Sequence, residues 1–105
     1  MVKDRQPDVR FLWFAGCPLA APARANLEAA LLQCGVDHYE TIDLMSPDTS
    51  PTLQAWGSPT ILIDGEDVTG EVPGGSACCR LYVTPERVPA TADIVAAIKR
   101  AQGLH

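Results

Sequence analysis

The sequence is short of positive charge: eight Lys and Arg stand against 13 Asp and Glu, for a formal net charge of −5. With a pI near 4.7, that balance argues against a nucleic-acid or anionic-membrane partner, since both reward a basic surface. No apolar run approaches the roughly 20 residues that a membrane helix needs. The opening stretch, Met1 to Asp8, has no charged segment followed by an apolar one. No secretory signal is therefore expected, and a cytoplasmic chain is.

Histidine is scarce, with His38 and His105 alone, and no pair of cysteines has the C-x-x-C spacing. Four cysteines are present, at positions 17, 34, 78 and 79. Without two close ligand pairs, a structural zinc site is not expected. In a reducing compartment an even cysteine count does not imply a disulfide framework either. The segment Gly70 to Gly75 is Gly-rich, yet no Lys-Ser/Thr follows it, which excludes a phosphate loop. No cofactor is expected, and the cysteines have to be read one at a time.

What is present suits one packed domain. A chain of 105 residues with 47% apolar and 20% charged side chains has the length and composition to bury a core without a metal or a disulfide. Val9 to Ala15 is a nearly unbroken apolar run, predicted as a strand buried on both faces. Gly16-Cys17-Pro18 ends it. A helix follows over about Ala20 to Cys34, with Ala23, Leu27, Ala30, Leu31 and Cys34 on one stripe facing the sheet. Pro22 fits the first position of a helix, which draws the expected start toward Ala21, and Gly35 stops it. Asp37 to Leu44 is predicted as a second strand, parallel to the first, with His38 on its surface.

A Ser/Pro/Asp/Thr-rich stretch from Met45 to Ser58 should hold a short helix around Thr52 to Trp56. The run from Ser58 to Ile63, closed by Asp64-Gly65 and followed by Glu66 to Thr69, predicts a tight antiparallel hairpin. Cys78 to Val83 is ambiguous between strand and turn. Thr91 is the expected N-cap of a last helix carrying Ile94, Ala97, Ile98 and Ala101 on one face. Asp93 lies in its first turn and Lys99 and Arg100 in its last, each complementing the helix dipole. The expectation is an α/β chain of order βαβ, (α)ββ, α, with a four-stranded mixed sheet flanked by helices.

Two motifs stand at the strand ends: Trp13-Phe14-Ala15-Gly16-Cys17-Pro18 after the first strand, and Trp56-Gly57-Ser58-Pro59-Thr60 before the third. This arrangement resembles the thioredoxin fold over roughly residues 9–102, making residues 1–105 a single thioredoxin-like domain. In that fold a reactive cysteine follows the first strand and a proline before the third strand, usually cis, faces it. The likeness implies Cys17 for the first part and Pro59 for the second. It departs where the redox pair would be completed, since Cys17-Pro18-Leu19-Ala20 has alanine in place of a second cysteine. The thioredoxin dithiol cycle cannot run on that motif. The chain is also similar to small bacterial thioredoxin-like proteins with a single Cys-Pro, a Gly-Ser-Pro-Thr before an Asp-Gly hairpin and a late Cys-Arg-x-Tyr. Here the last of these is Cys79-Arg80-Leu81-Tyr82. Some of those proteins carry an alkylmercury-lyase-like label, tied to mercury resistance, but no motif for such a catalytic constellation is found here.

Each candidate has a plain structural alternative. Cys17 is either a small buried hydrophobe or a reactive thiol at the carboxyl end of a parallel strand, where α/β sheets place their sites. Cys34 reads as a core residue. Cys78 and Cys79 are neighbours; if they are extended, their side chains point opposite ways and only one can face Cys17. The family likeness favours Cys79. Gly70 to Gly75 reads as a mobile flap holding that pair near the site. Ser58-Pro59 would shape a groove, with the Ser58 backbone open to an extended ligand. Trp13 and Trp56 read as packing residues, and Asp43, Asp64 and Glu66 as strand-end and turn residues.

Three functional expectations follow. In the first, Cys17 is the nucleophile of a thiol redox protein, Cys79 resolves its mixed disulfide, and the partner is a disulfide-containing protein or a small thiol. In the second, Cys17 with Cys78 or Cys79 binds a soft metal ion such as mercury or copper. In the third, the fold persists as a redox-inactive interaction module.

Overall fold

The computed structural model describes residues 7–70 and 88–103. The apolar run becomes β1 (Val9–Trp13), shorter than its sequence because Phe14 to Cys17 turn away from it. The helix α1 spans Ala20–Cys34. It begins at Ala20 with Pro22 at its third position, still within the first turn, where a missing N–H breaks no intrahelical bond. Gly35 ends it at φ 71°, which lets the Val36 N–H reach the Leu31 carbonyl at 3.0 Å.

The second strand is shorter than expected. β2 covers only Glu40–Asp43, parallel to β1 with Arg10 opposite Glu40. Pairing begins only at Glu40, which leaves Asp37 to Tyr39 as an approach segment. His38 is therefore exposed on the segment ahead of the strand rather than on it.

The short helix α2 (Pro51–Gln54) starts one residue earlier and ends two residues earlier than predicted. The Ser50 hydroxyl accepts from the Leu53 N–H at 3.4 Å, with Pro51 at the first helical position. β3 (Thr60–Ile63) and β4 (Glu66–Asp67) form the predicted hairpin. Both turn residues are left-handed, Asp64 at φ 53° and Gly65 at φ 84°, as a two-residue turn matched to strand twist requires. The last helix, α3, spans Thr91–Ala101. Thr91 is its first residue and not its cap. The Ala90 carbonyl takes both the Asp93 and Ile94 N–H groups at 3.0 and 3.1 Å, so the helical bonding starts one residue sooner.

The four strands make one mixed open sheet of order β2-β1-β3-β4, with β1 pairing β2 in parallel and β3 antiparallel. Strand alternation divides its core in two. One face carries Val9, Phe11, Ile61 and Ile63 under Leu27 and Leu31 of α1 and Ile94 and Ile98 of α3. The other is smaller: Leu12, Leu44 and Leu62, with Phe14, Ile42, Leu53 and Trp56 packed against them. Cys34 packs against the larger core but is only half-buried, its thiol 4.0 Å from the Val95 carbonyl of α3. Asn26 ties the same layer together by donating to the Pro89 carbonyl at 2.9 Å. Among the described residues, no helix is long and apolar enough to cross a membrane.

Candidate functional site

The site forms where the first turn after β1 meets the loop before β3. Gly16, at φ 91°, bends the chain so that the Cys17 N–H donates back to the Phe14 carbonyl at 3.3 Å. A side chain is strained at that angle, so glycine is what the turn demands. The Cys17 carbonyl then accepts from the Ala20 N–H at 3.2 Å and leads into α1. Cys17 lies three residues ahead of the first helical residue and is only 9% exposed.

Opposite it, 41 residues along the chain, is Ser58. The Cys17 S–H donates to the Ser58 carbonyl oxygen with sulfur and oxygen 3.8 Å apart. The Ser58-Pro59 bond is cis. The register of β1 with β3, carried two residues past Leu12 and Thr60, sets Ser58 across from Phe14. The loop is held from below by Thr60, whose hydroxyl donates to the Gly57 carbonyl at 2.8 Å. Ser58 and Thr60 are both fully buried.

Replacing Thr60 with valine keeps the shape and deletes that donor. The buried Gly57 carbonyl then lacks its hydroxyl partner, an expected loss of about 1–3 kcal/mol in urea unfolding. A Thr60→Val protein as stable as the parent would show that the bond does not hold the loop.

No Asp, Glu, Lys, Arg or His occurs from residue 13 to 23 or from 55 to 63. The nearest cation along α1, Arg24, stacks over the Phe11 and Trp13 rings at 5.1 and 5.9 Å. The surroundings of the thiol in these segments are therefore apolar side chains, hydroxyls and peptide dipoles.

No family model, curated protein or solved structure matches this chain. The arrangement has to be judged on its own chemistry.

Cys17, Ser58 and Pro59 come together. Cys78 and Cys79 lie outside the described residues, as does the expected flap from Glu71 to Gly75. Cys34 is remote from Cys17: it packs on α3, and burial pushes its thiol pKa up, with Lys99 nearby pulling it partly back. Cys17 and Cys34 form no disulfide with one another. Among the described residues, no group of three His, Cys, Asp or Glu is placed to hold a metal ion. Trp13 packs on the larger core and Trp56 on the smaller, so both are packing residues. Asp43 and Asp64 serve as strand-end residues, accepting from the N–H groups of Met45 and Asp8 at 2.9 and 2.8 Å. Glu66 is exposed at the start of β4.

Two features escaped the sequence reading. The Thr60–Gly57 bond has a local sign, a threonine three residues after a glycine, but one too common to be read alone. The other, the Ser58 side chain, has no sequence sign: its burial depends on contacts far along the chain.

Proposed function

We propose that this chain is a thioredoxin-like thiol protein with Cys17 as its nucleophile. The observation that carries this reading is the Cys17 sulfur set 3.8 Å from the carbonyl of the cis Ser58-Pro59 bond. The element order β1-α1-β2 followed by β3-β4-α3 in one mixed sheet supports it. In the reaction, the Cys17 thiolate attacks one sulfur of a partner disulfide. A Cys17–partner disulfide forms, the partner's own S–S bond breaks, and its second sulfur leaves as a thiolate. Cys79 is the proposed resolving thiol: its thiolate displaces the bound partner sulfur and closes a Cys17–Cys79 bond. Each cycle reduces one partner disulfide and leaves one disulfide in this chain. Ser58 and Pro59 are fully buried behind the Cys17 sulfur, and the near-burial of Cys17 itself favours a partner sulfur presented on a narrow, extended segment.

Oxidised glutathione supplies a simple partner for the test. Full-length reduced protein is mixed with it, quenched with acid and mapped by peptide mass spectrometry. Glutathione should join Cys17 first and give way to a Cys17–Cys79 bond, while Cys79→Ser should leave the Cys17 adduct standing. Of the two described thiols, Cys34 should react the more slowly, since partial burial raises its pKa above the ordinary value. If Cys17 stays unmodified while other thiols react, the nucleophile is misassigned. Thiol-dependent Hg(II) uptake without any mixed disulfide would instead mark a soft-metal binder.

A further inference from the structure

β2 is an edge strand: among the described residues its only strand neighbour is β1. The Leu44 N–H donates to the Trp13 carbonyl at 2.8 Å, and the main-chain groups of alternate residues point to opposite sides of a strand. Glu40 and Ile42 therefore pair with β1, while the main-chain groups of Thr41 and Asp43 point away from the sheet. The Asp43 carbonyl is taken by the Ser46 N–H and the Thr49 hydroxyl. Thr41 keeps a donor and an acceptor on the open edge and Asp43 keeps a donor, the start of a ladder for one more strand.

The ground on both sides of that edge is apolar and rimmed by acids. On the α1 side, Leu31, Leu32 and Val36 line an open hollow of about 460 Å³ with Glu28 and Asp37 beside them. On the other face, Ile42 and Leu53 line one of about 450 Å³ with Glu40, Asp43 and Asp48 around it. Leu32 and Met45, 84% and 64% exposed, are the large apolar side chains left in water among the described residues. Leu32 lines the first hollow, and Met45 follows the end of β2 by two residues. The arginines nearby are already engaged: Arg10 lies 3.3 Å from Asp8 and 3.6 Å from Glu40, and Arg24 stacks over Phe11 and Trp13. Acids on an edge would by themselves only keep other strands away. Apolar side chains beneath them, and two more held in water at the ends, mark an edge kept for a partner.

We propose that the open edge of β2 docks an extended, basic segment of a partner protein, which adds to the sheet as a strand beside β2. Side chains of such a strand point alternately to the two faces. A Lys or Arg on either face lays its methylenes on the apolar residues and its charge against the acidic rim. A second copy of this chain is the poorer occupant, since it would bring two acidic edges together in chains that each carry a net −5. The edge makes no use of Cys17, so this docking stands or falls apart from the thiol chemistry.

The test is a titration of isotopically labelled full-length protein with the end-blocked peptide Thr-Lys-Val-Arg-Val-Lys-Thr, followed by amide NMR shifts. The shifts should saturate and centre on the edge, with the Thr41 and Asp43 amides newly protected from exchange. Raising salt from about 0.01 to 0.15 M should weaken binding severalfold, as the screening length falls from roughly 30 to 8 Å. Asp37 and Asp48 are both exposed, so the double variant Asp37→Asn, Asp48→Asn should fold as the parent does and bind about three- to tenfold more weakly. Thr41→Pro removes the outward N–H and spares the β1 ladder, a change that edge strands tolerate. It should weaken binding by about two- to tenfold. Shifts centred away from β2, or no saturation up to about 1 mM peptide, would overturn the proposal. Equal binding of the same peptide with Glu in place of Lys and Arg would do so too. A Thr41 amide already protected in the protein alone would mean that this chain or a second copy covers the edge, and would equally overturn it.

Discussion

Phe11→Ala should remove about 3–5 kcal/mol of stability, the range for truncating a well-buried aromatic side chain. Phe11 is fully buried at the centre of β1, with Thr41 on one side and Ile61 on the other. It belongs to the larger core, beneath both long helices. Its neighbours on α1 include Ala23 and Ala30, which have no length to swing inward. The Arg24 guanidinium, 5.1 Å from the ring centroid, also loses its aromatic partner, adding about 0.5–1 kcal/mol if the stack is exposed. Domains of this size are commonly stable by about 5–15 kcal/mol. The variant should therefore unfold at much lower urea, with its midpoint shifted and the slope of the transition kept. A shift worth less than about 1 kcal/mol would mean that the core repacks around the missing ring.

The parts of the fold legible in the sequence were those with a local signature. The Asp64-Gly65 turn specified the β3–β4 hairpin, because two left-handed residues in a row are costly for most other side chains. In α3, Asp93 at one end and Lys99 and Arg100 at the other flank Ile94, Ala97 and Ile98, so the buried face could be read directly. The parallel pairing of β1 with β2 followed from the helix between them. Boundaries were less legible, since they depend on pairing partners: β2 pairs with β1 only from Glu40, opposite Arg10.

The site divides in the same way. Cys17 was visible as the residue at a strand-to-helix turn. Its opposition to Ser58-Pro59 was expected only from the thioredoxin-like resemblance, since no spacing in the sequence measures a contact 41 residues apart. The state of the Ser58 hydroxyl was not visible at all. Ser58-Pro59 reads as a strand opening with the Ser58 backbone open to a ligand, whereas in the fold Ser58 is fully buried across from Phe14.

α1 was the hardest element to read, and it carries the second large effect. Ala21, Ala25, Ala29 and Leu32 lie on its exposed side, so apolar residues run all round the helix. With no polar face for contrast, composition could not pick the inward stripe; the spacing did, since Ala23, Leu27, Ala30 and Leu31 are the buried residues of α1 and Cys34 is half-buried against the same core. Spacing still separates Leu27 and Leu31 from Leu32. Leu27 is fully buried, whereas Leu32 is 84% exposed. The other buried residues of α1 are Ala23, Ala30 and Leu31, so Leu27 is one of only two large side chains joining the helix to the sheet and α3. Leu27→Ala should cost about 2–5 kcal/mol, toward the upper end because flanking alanines cannot fill the cavity. Leu32→Ala removes the same atoms from water-exposed surface and should change stability by no more than about 0.5 kcal/mol. Urea unfolding of the two variants side by side checks both. Equal losses would mean that α1 is rotated about its axis from the position described, and the Cys34–Val95 contact would fall with it.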